Sequence, residues 1–152
     1  FHKEKKAWAS LVAHPNGHPY DSSLLVTEIE APKMAGGMPV DTHRVICWMA
    51  KEDERLYYKN RVNAGIELIS PELLKETMKN FVPRHPETPD KIDLDRDVLK
   101  TNIGSGRIYA YDTPEYVKDM GTPDRFHEAE TDFGSGWNYQ QDGRICHQTR
   151  TI

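Results

Sequence analysis

The run from Arg107 to Phe126 constrains the fold of this chain more than any other stretch. Arg107-Ile108-Tyr109-Ala110-Tyr111 is rich in β-branched and aromatic residues and reads as a strand. Thr122-Pro123 then opens a polar helical pattern, with a hydroxyl cap and a proline in the first turn. Between them stands Asp119, just ahead of Gly121. A strand, a tight bend and a capped helix in that order belong to a domain in which sheet and helices alternate. A carboxylate at such a bend has two readings: a solvated turn residue, or an oxygen ligand for a divalent cation beside a glycine that admits close approach.

The remaining segments follow the same alternation. Strands are expected at Trp8 to Ala13, Leu24 to Ile29, Arg44 to Met49 and Arg61 to Ile69, with the second and third forming a hairpin across the glycine-bearing connection from Pro32 to Thr42. Residues 1–7 read as the tail of a basic amphipathic helix, Lys51 to Asn60 as a short charged helix, and Ser70 to about Asn80 as a helix behind a serine cap. Lys91 to Asp95 imitates a calcium loop but lacks its glycine and closing glutamate, so a short helix over Asp93 to Lys100 behind an aspartate cap is the better reading. Gly65 interrupts the fourth strand, which implies either a β-bulge or the close approach of a ligand. His14 and His18 are four apart, yet Pro15 and Pro19 forbid the helix that would make them a metal pair. The fold class is therefore α/β, a mixed sheet flanked by helices, over residues 1–133, with 134–152 as a tail or linker.

Composition narrows the function classes. The 152 residues suffice for one domain, and 20 basic against 24 acidic residues give a formal charge of -4, which does not favour a nucleic-acid partner. No apolar run approaches bilayer length, so no membrane partner is expected. Cys47 and Cys146 lie far apart and outside metal spacing, which fits a reducing, cytoplasmic compartment. The chain opens on Phe1 without an initiating Met, and it reads as a piece of something longer.

Four motifs carry a family resemblance. In order, they are Val62-Asn63-Ala64-Gly65-Ile66 leading to Ile69-Ser70-Pro71-Glu72-Leu73-Leu74, then Asp95-Arg96-Asp97-Val98-Leu99, then Gly106-Arg107-Ile108-Tyr109-Ala110-Tyr111, then Tyr116-Val117-Lys118-Asp119-Met120-Gly121-Thr122-Pro123. Together they resemble the C-terminal half of the Rossmann-like domain of sugar-1-phosphate nucleotidyltransferases, and are similar to the mannose-1-phosphate and heptose-1-phosphate guanylyltransferase branch. His14 to Ser22 and Trp48 to Glu54 are similar to bacterial proteins in which such a transferase precedes a heptose-bisphosphate phosphatase. The resemblance spans roughly residues 1–136.

What the resemblance implies is a reaction of a sugar 1-phosphate with a nucleoside triphosphate, GTP in this branch, releasing pyrophosphate with the help of Mg²⁺. Asp119 would be one of two metal-binding aspartates, and Lys51 would meet the sugar phosphate. Asn63, Ala64 and Gly65 would line the sugar pocket, approached by Tyr20, Asp21 and Ser22. Two departures stand out: Ala50-Lys51-Glu52 replaces the family's Glu-Lys-Pro, and Asp21 stands where many members have glycine. The glycine-rich nucleotide loop and the first metal-binding aspartate would belong to an N-terminal half ahead of Phe1. The 152 residues alone are then expected to bind nucleotide poorly and to be inactive. An unpaired sheet edge would favour a homo-oligomer. The competing reading is a non-catalytic regulatory or assembly module that retains the fold.

Overall fold

A computed structural model of the chain describes residues 1–17, 22–32, 34, 36–49, 59–79, 81–134, 137–139 and 145–147. The helix expected over Lys51 to Asn60 lies almost wholly outside the described residues. Contacts divide the chain into two units, Phe1–Asp112 and Thr113–Ile152.

The first unit is built on five strands: β1 (Ala9–His14), β2 (Leu24–Glu30), β3 (Val40–Met49), β4 (Val62–Ile69) and β5 (Ile108–Asp112). Their order is β1-β4-β2-β3-β5, and the sheet closes on itself where β1 and β5 run parallel. The other neighbours are antiparallel, so the sheet is mixed as the sequence implies. Closure, which the sequence does not announce, relies on two narrow seams: Leu24 opposite Val62 and Arg44 opposite Tyr109. The β2–β3 hairpin is present. Its second strand begins at Val40, earlier than expected, and passes through His43 at φ 62.

Alternation along the strands sets the core. Ile108 and Ala110 of β5 are fully buried, whereas Tyr109 and Tyr111 between and after them face outward. Ala9, Leu11 and Ala13 of β1 join Leu25, Val45 and Trp48 in the same apolar cluster. Helix α1 (Pro71–Lys79) adds Leu73 to it. A π-helical turn (Leu94–Leu99) adds Val98 and Leu99 before running into a 3-10 segment (Lys100–Ser105). Asp93 caps that turn as expected, its side chain accepting from Arg96 N at 2.9 Å.

Two local expectations change. Residues 1–7 form a turn in place of a helix: Lys5 N donates to Phe1 O, and Lys6 then takes φ 49, a left-handed conformation that cannot propagate a right-handed helix. The Ser70 hydroxyl leaves the helix it precedes, donating to Ala7 O at 3.0 Å and meeting His2 Nε2 at 2.9 Å. It thereby ties the first turn of the chain to the end of β4.

In the second unit, α2 (Pro123–Gly134) follows an irregular segment, and Arg125 N donates to the Thr122 hydroxyl at 3.4 Å. Two short strands, β6 (Trp137–Tyr139) and β7 (Ile145–His147), pair antiparallel. No described helix is long and apolar enough to cross a membrane.

Candidate functional site

The fourth strand departs from regular pairing at the motif Asn63-Ala64-Gly65. Leu11 of β1 lies opposite Glu67, and Ala13 opposite Asn63. Three residues of β4, Ala64 to Ile66, therefore face the single residue Val12. The strand must bow out to absorb the excess, and Gly65 at φ 71 supplies the left-handed conformation the bend requires. The bulge that Gly65 implies is present. The bow is held by Asn63, whose Oδ1 accepts from Gly65 N and whose Nδ2 donates to Glu67 Oε1, each at 3.2 Å.

Ser22 sits at the same end of the sheet. Its hydroxyl accepts from Asn16 Nδ2 at 3.1 Å, and Asn16 O in turn accepts from Asn60 Nδ2 at 2.7 Å. One residue on, Ser23 O accepts from Asn63 N at 3.3 Å. Ser22, Asn63, Ala64 and Gly65, distant in sequence, are thus gathered where β2 meets β4. Tyr20, Asp21 and Lys51 lie outside the described residues.

Asp119 belongs to the second unit, in the irregular segment beyond β5 and not at its end. Its side chain is 48% exposed. One oxygen accepts from Gly121 N at 2.8 Å and the other from Arg125 Nη1 at 2.6 Å. A Cβ on Gly121 would stand 3.0 Å from the Asp119 oxygen, so that side chain would have to shift to admit one. Each carboxylate oxygen retains a lone pair toward solvent, so the donor fits a hard cation as one ligand among several.

A second constellation carries no sequence signal, because its members are scattered over the chain. Asp41, His43 and Asp112 bring one potential ligand atom each within 4.8 Å of one another. Arg61, just ahead of β4 and 2% exposed, already fills that space. Its Nη2 lies 2.6 Å from Asp41 Oδ2 and 2.5 Å from Asp112 Oδ2, its Nε lies 2.6 Å from Asp112 Oδ1, and its Nη1 donates to the Thr27 hydroxyl. Lys59 adds a contact to Asp112 at 2.8 Å. Burial pushes the Asp112 carboxyl up, but hydrogen bonds from Arg61 and Lys59 outweigh it and hold the group down at about 2. With two carboxylates matched by two cations, the cluster lacks the net negative charge that would draw Mg²⁺. A wedge of space of about 270 Å³ opens beside it, lined by Thr27, Ile29, Asp41, Lys59 and Arg61 among others.

The fold defines a class, an α/β domain like that of a solved sugar-1-phosphate nucleotidyltransferase. A crystal structure from Bacillus anthracis, assigned as a glucose-1-phosphate thymidylyltransferase and solved with sucrose, matches 91% of this chain and 48% of its own at TM-score 0.60 and 12% identity. Among curated proteins, the mannose-1-phosphate guanylyltransferase of Mycobacterium tuberculosis is 25% identical over 119 residues, covering 76% of this chain and 30% of the relative. A protein assigned the same activity in Arabidopsis thaliana is 25% identical over 120 residues, covering 74% and 28%. The catalytic subunit beta of that enzyme in Dictyostelium discoideum is 19% identical over 119 residues, covering 78% and 30%. No family model matches. These likenesses support the sugar-1-phosphate nucleotidyltransferase family, and the chain spans about three-tenths of the length of its curated relatives.

Proposed function

We propose that this chain is the sugar-phosphate half of a nucleotidyltransferase that joins a sugar 1-phosphate of the mannose or heptose type to GTP, releasing pyrophosphate. The observation that carries the reading is the run of about 120 residues shared with three mannose-1-phosphate guanylyltransferases. That the described residues adopt a nucleotidyltransferase fold supports it. In this reading the bulged end of β4 and Ser22, with Tyr20 and Asp21, form the sugar pocket, and Lys51 meets the phosphate as a compact point charge. Asp119 holds one side of a Mg²⁺ ion. That ion, when bound, neutralises the two anionic reactants and aligns the attacking oxygen with the α-phosphate. The residues that grip the triphosphate and complete the metal shell lie outside these 152 residues.

The test is pyrophosphate release by an N-terminally extended polypeptide supplied with GTP, MgCl₂ and a panel of hexose and heptose 1-phosphates. Release is expected with at least one sugar, and Asp119→Ala should lower it roughly a hundredfold or more. Silence across the whole panel, or full activity in Asp119→Ala, would remove the reading. The ion pair of Asp119 with Arg125 favours the non-catalytic alternative, in which that carboxylate only braces the start of α2. Under that alternative Asp119→Ala lowers the melting temperature and no sugar yields pyrophosphate.

A further inference from the structure

The bulge in β4 redistributes roles among the polar residues it displays. Asn63 is the natural candidate to contact a sugar, since an amide offers a donor and an acceptor. Its side chain is instead committed at both ends within the bulge, Oδ1 to Gly65 N and Nδ2 to Glu67 Oε1. It works as a strut. The group at the far end of the strut is Glu67, which regular pairing would keep well away from Asn63 and which the excess of residues in β4 brings back beside it.

Glu67 is half-buried, and Asn63 engages only one of its two oxygens. Among the described residues no cation pairs with it. Its neighbour is a like charge: burial, then the Glu67 carboxylate, then Asp93 push Asp95 up. A carboxylate oriented by an amide, placed near another carboxylate and given no counterion, is poorly explained as a stabilising ion pair. It is well suited to accept from a hydroxyl, because the ionised oxygen makes a charge-assisted bond stronger than an amide can make. The crest of the bulge faces open space. A Cβ built on Gly65 would meet nothing within 4 Å.

We propose that Glu67, positioned by Asn63, reads a ring hydroxyl of the sugar 1-phosphate. This rests on the sugar-phosphate reading above. Asn63 becomes a positioning residue.

Calorimetric titration of mannose 1-phosphate and its monodeoxy analogues into the N-terminally extended polypeptide and into its Glu67→Gln variant tests it. Glu67→Gln should fold with an unchanged melting curve and bind mannose 1-phosphate roughly tenfold or more weakly. One monodeoxy analogue should bind the two proteins equally well, because without that hydroxyl the carboxylate has no advantage over the amide. A strut with no ligand contact would give either equal affinities throughout or the same loss for every analogue. Equal affinity of both proteins for mannose 1-phosphate, or the same loss in Glu67→Gln for every analogue, overturns the assignment while the sugar-phosphate reading stands. Failure of the unaltered polypeptide to bind any sugar 1-phosphate overturns that reading, and the role of Glu67 falls with it.

Discussion

Arg61 keeps its charge although it is almost wholly enclosed, because Asp41, Asp112 and the Thr27 hydroxyl meet the guanidinium from three strands. Removing a partner from such a group leaves the others uncompensated, which costs more than the pair contributes when intact. Arg61→Met should therefore destabilise the first unit by about 3 kcal/mol, the lower end of the usual range, because Asp41 and Asp112 are still 24% and 33% exposed. Chemical denaturation measures it. The pH dependence has a definite sign. Asp112 is depressed to about 2, and Asp41 is lowered too, with burial opposing and Arg61 hydrogen bonds prevailing. A depressed carboxylate stabilises the fold above its unfolded value of about 3.9, and that contribution is lost as pH falls through the folded value. Melting temperature should thus fall between about pH 4 and pH 2. Asp112→Asn should melt lower at neutral pH yet lose less over that window. Parallel pH profiles for the two proteins would refute the linkage.

The element that decides the candidate site is β4. Its bulge depends on a left-handed residue at its crest, and Gly65 is free to adopt φ 71. Open space surrounds the position, so a substitution there is judged by backbone strain alone. Gly65→Ala should cost about 1 kcal/mol, the penalty of a left-handed alanine, and Gly65→Asn should recover part of it because asparagine tolerates that conformation. Urea unfolding of the two variants separates them; equal stability of all three proteins would mean that the bulge can relax without left-handed geometry. The π-helical turn, in contrast, rests on ordinary capping. Asp93 caps its start, and Asp97, 8% exposed, is held by Arg84 Nε at 2.9 Å and by Asp93 N at 2.8 Å. These bonds explain why an acidic run that imitates a calcium loop folds as a helix: the carboxylates of Asp93 and Asp97 are engaged by the backbone and by one arginine.

At the scale of the molecule, the chain is two compact units, with the bulge and the Arg61 cluster in the first and Asp119 in the second. The proposed function assigns sugar recognition to residues of the first unit and metal binding to a residue of the second. Loss of pyrophosphate release in Asp119→Ala and loss of sugar affinity in Glu67→Gln should therefore be separable: the first variant should still bind mannose 1-phosphate, and the second should still respond to Mg²⁺. An extended polypeptide in which both variants lose both properties would argue against a division of labour between the units.

Local chemistry made much of this legible in advance. Runs of apolar, β-branched and aromatic residues marked all five strands of the sheet, Asp93 and Thr122 announced the helices they precede, and Gly65 announced a bulge, because each signal is a short-range preference of backbone or side chain. Four ordered motifs were enough to suggest the family that the relatives support. What the sequence could not declare is whatever depends on residues meeting across the chain. Closure through the parallel β1–β5 pair, the neutralisation of Asp41 and Asp112 by Arg61, and the return of Glu67 to Asn63 all arise from register and packing, and those are settled only when the strands come together. The residue types were readable at every one of these positions; which of them became neighbours was decided by the tertiary fold.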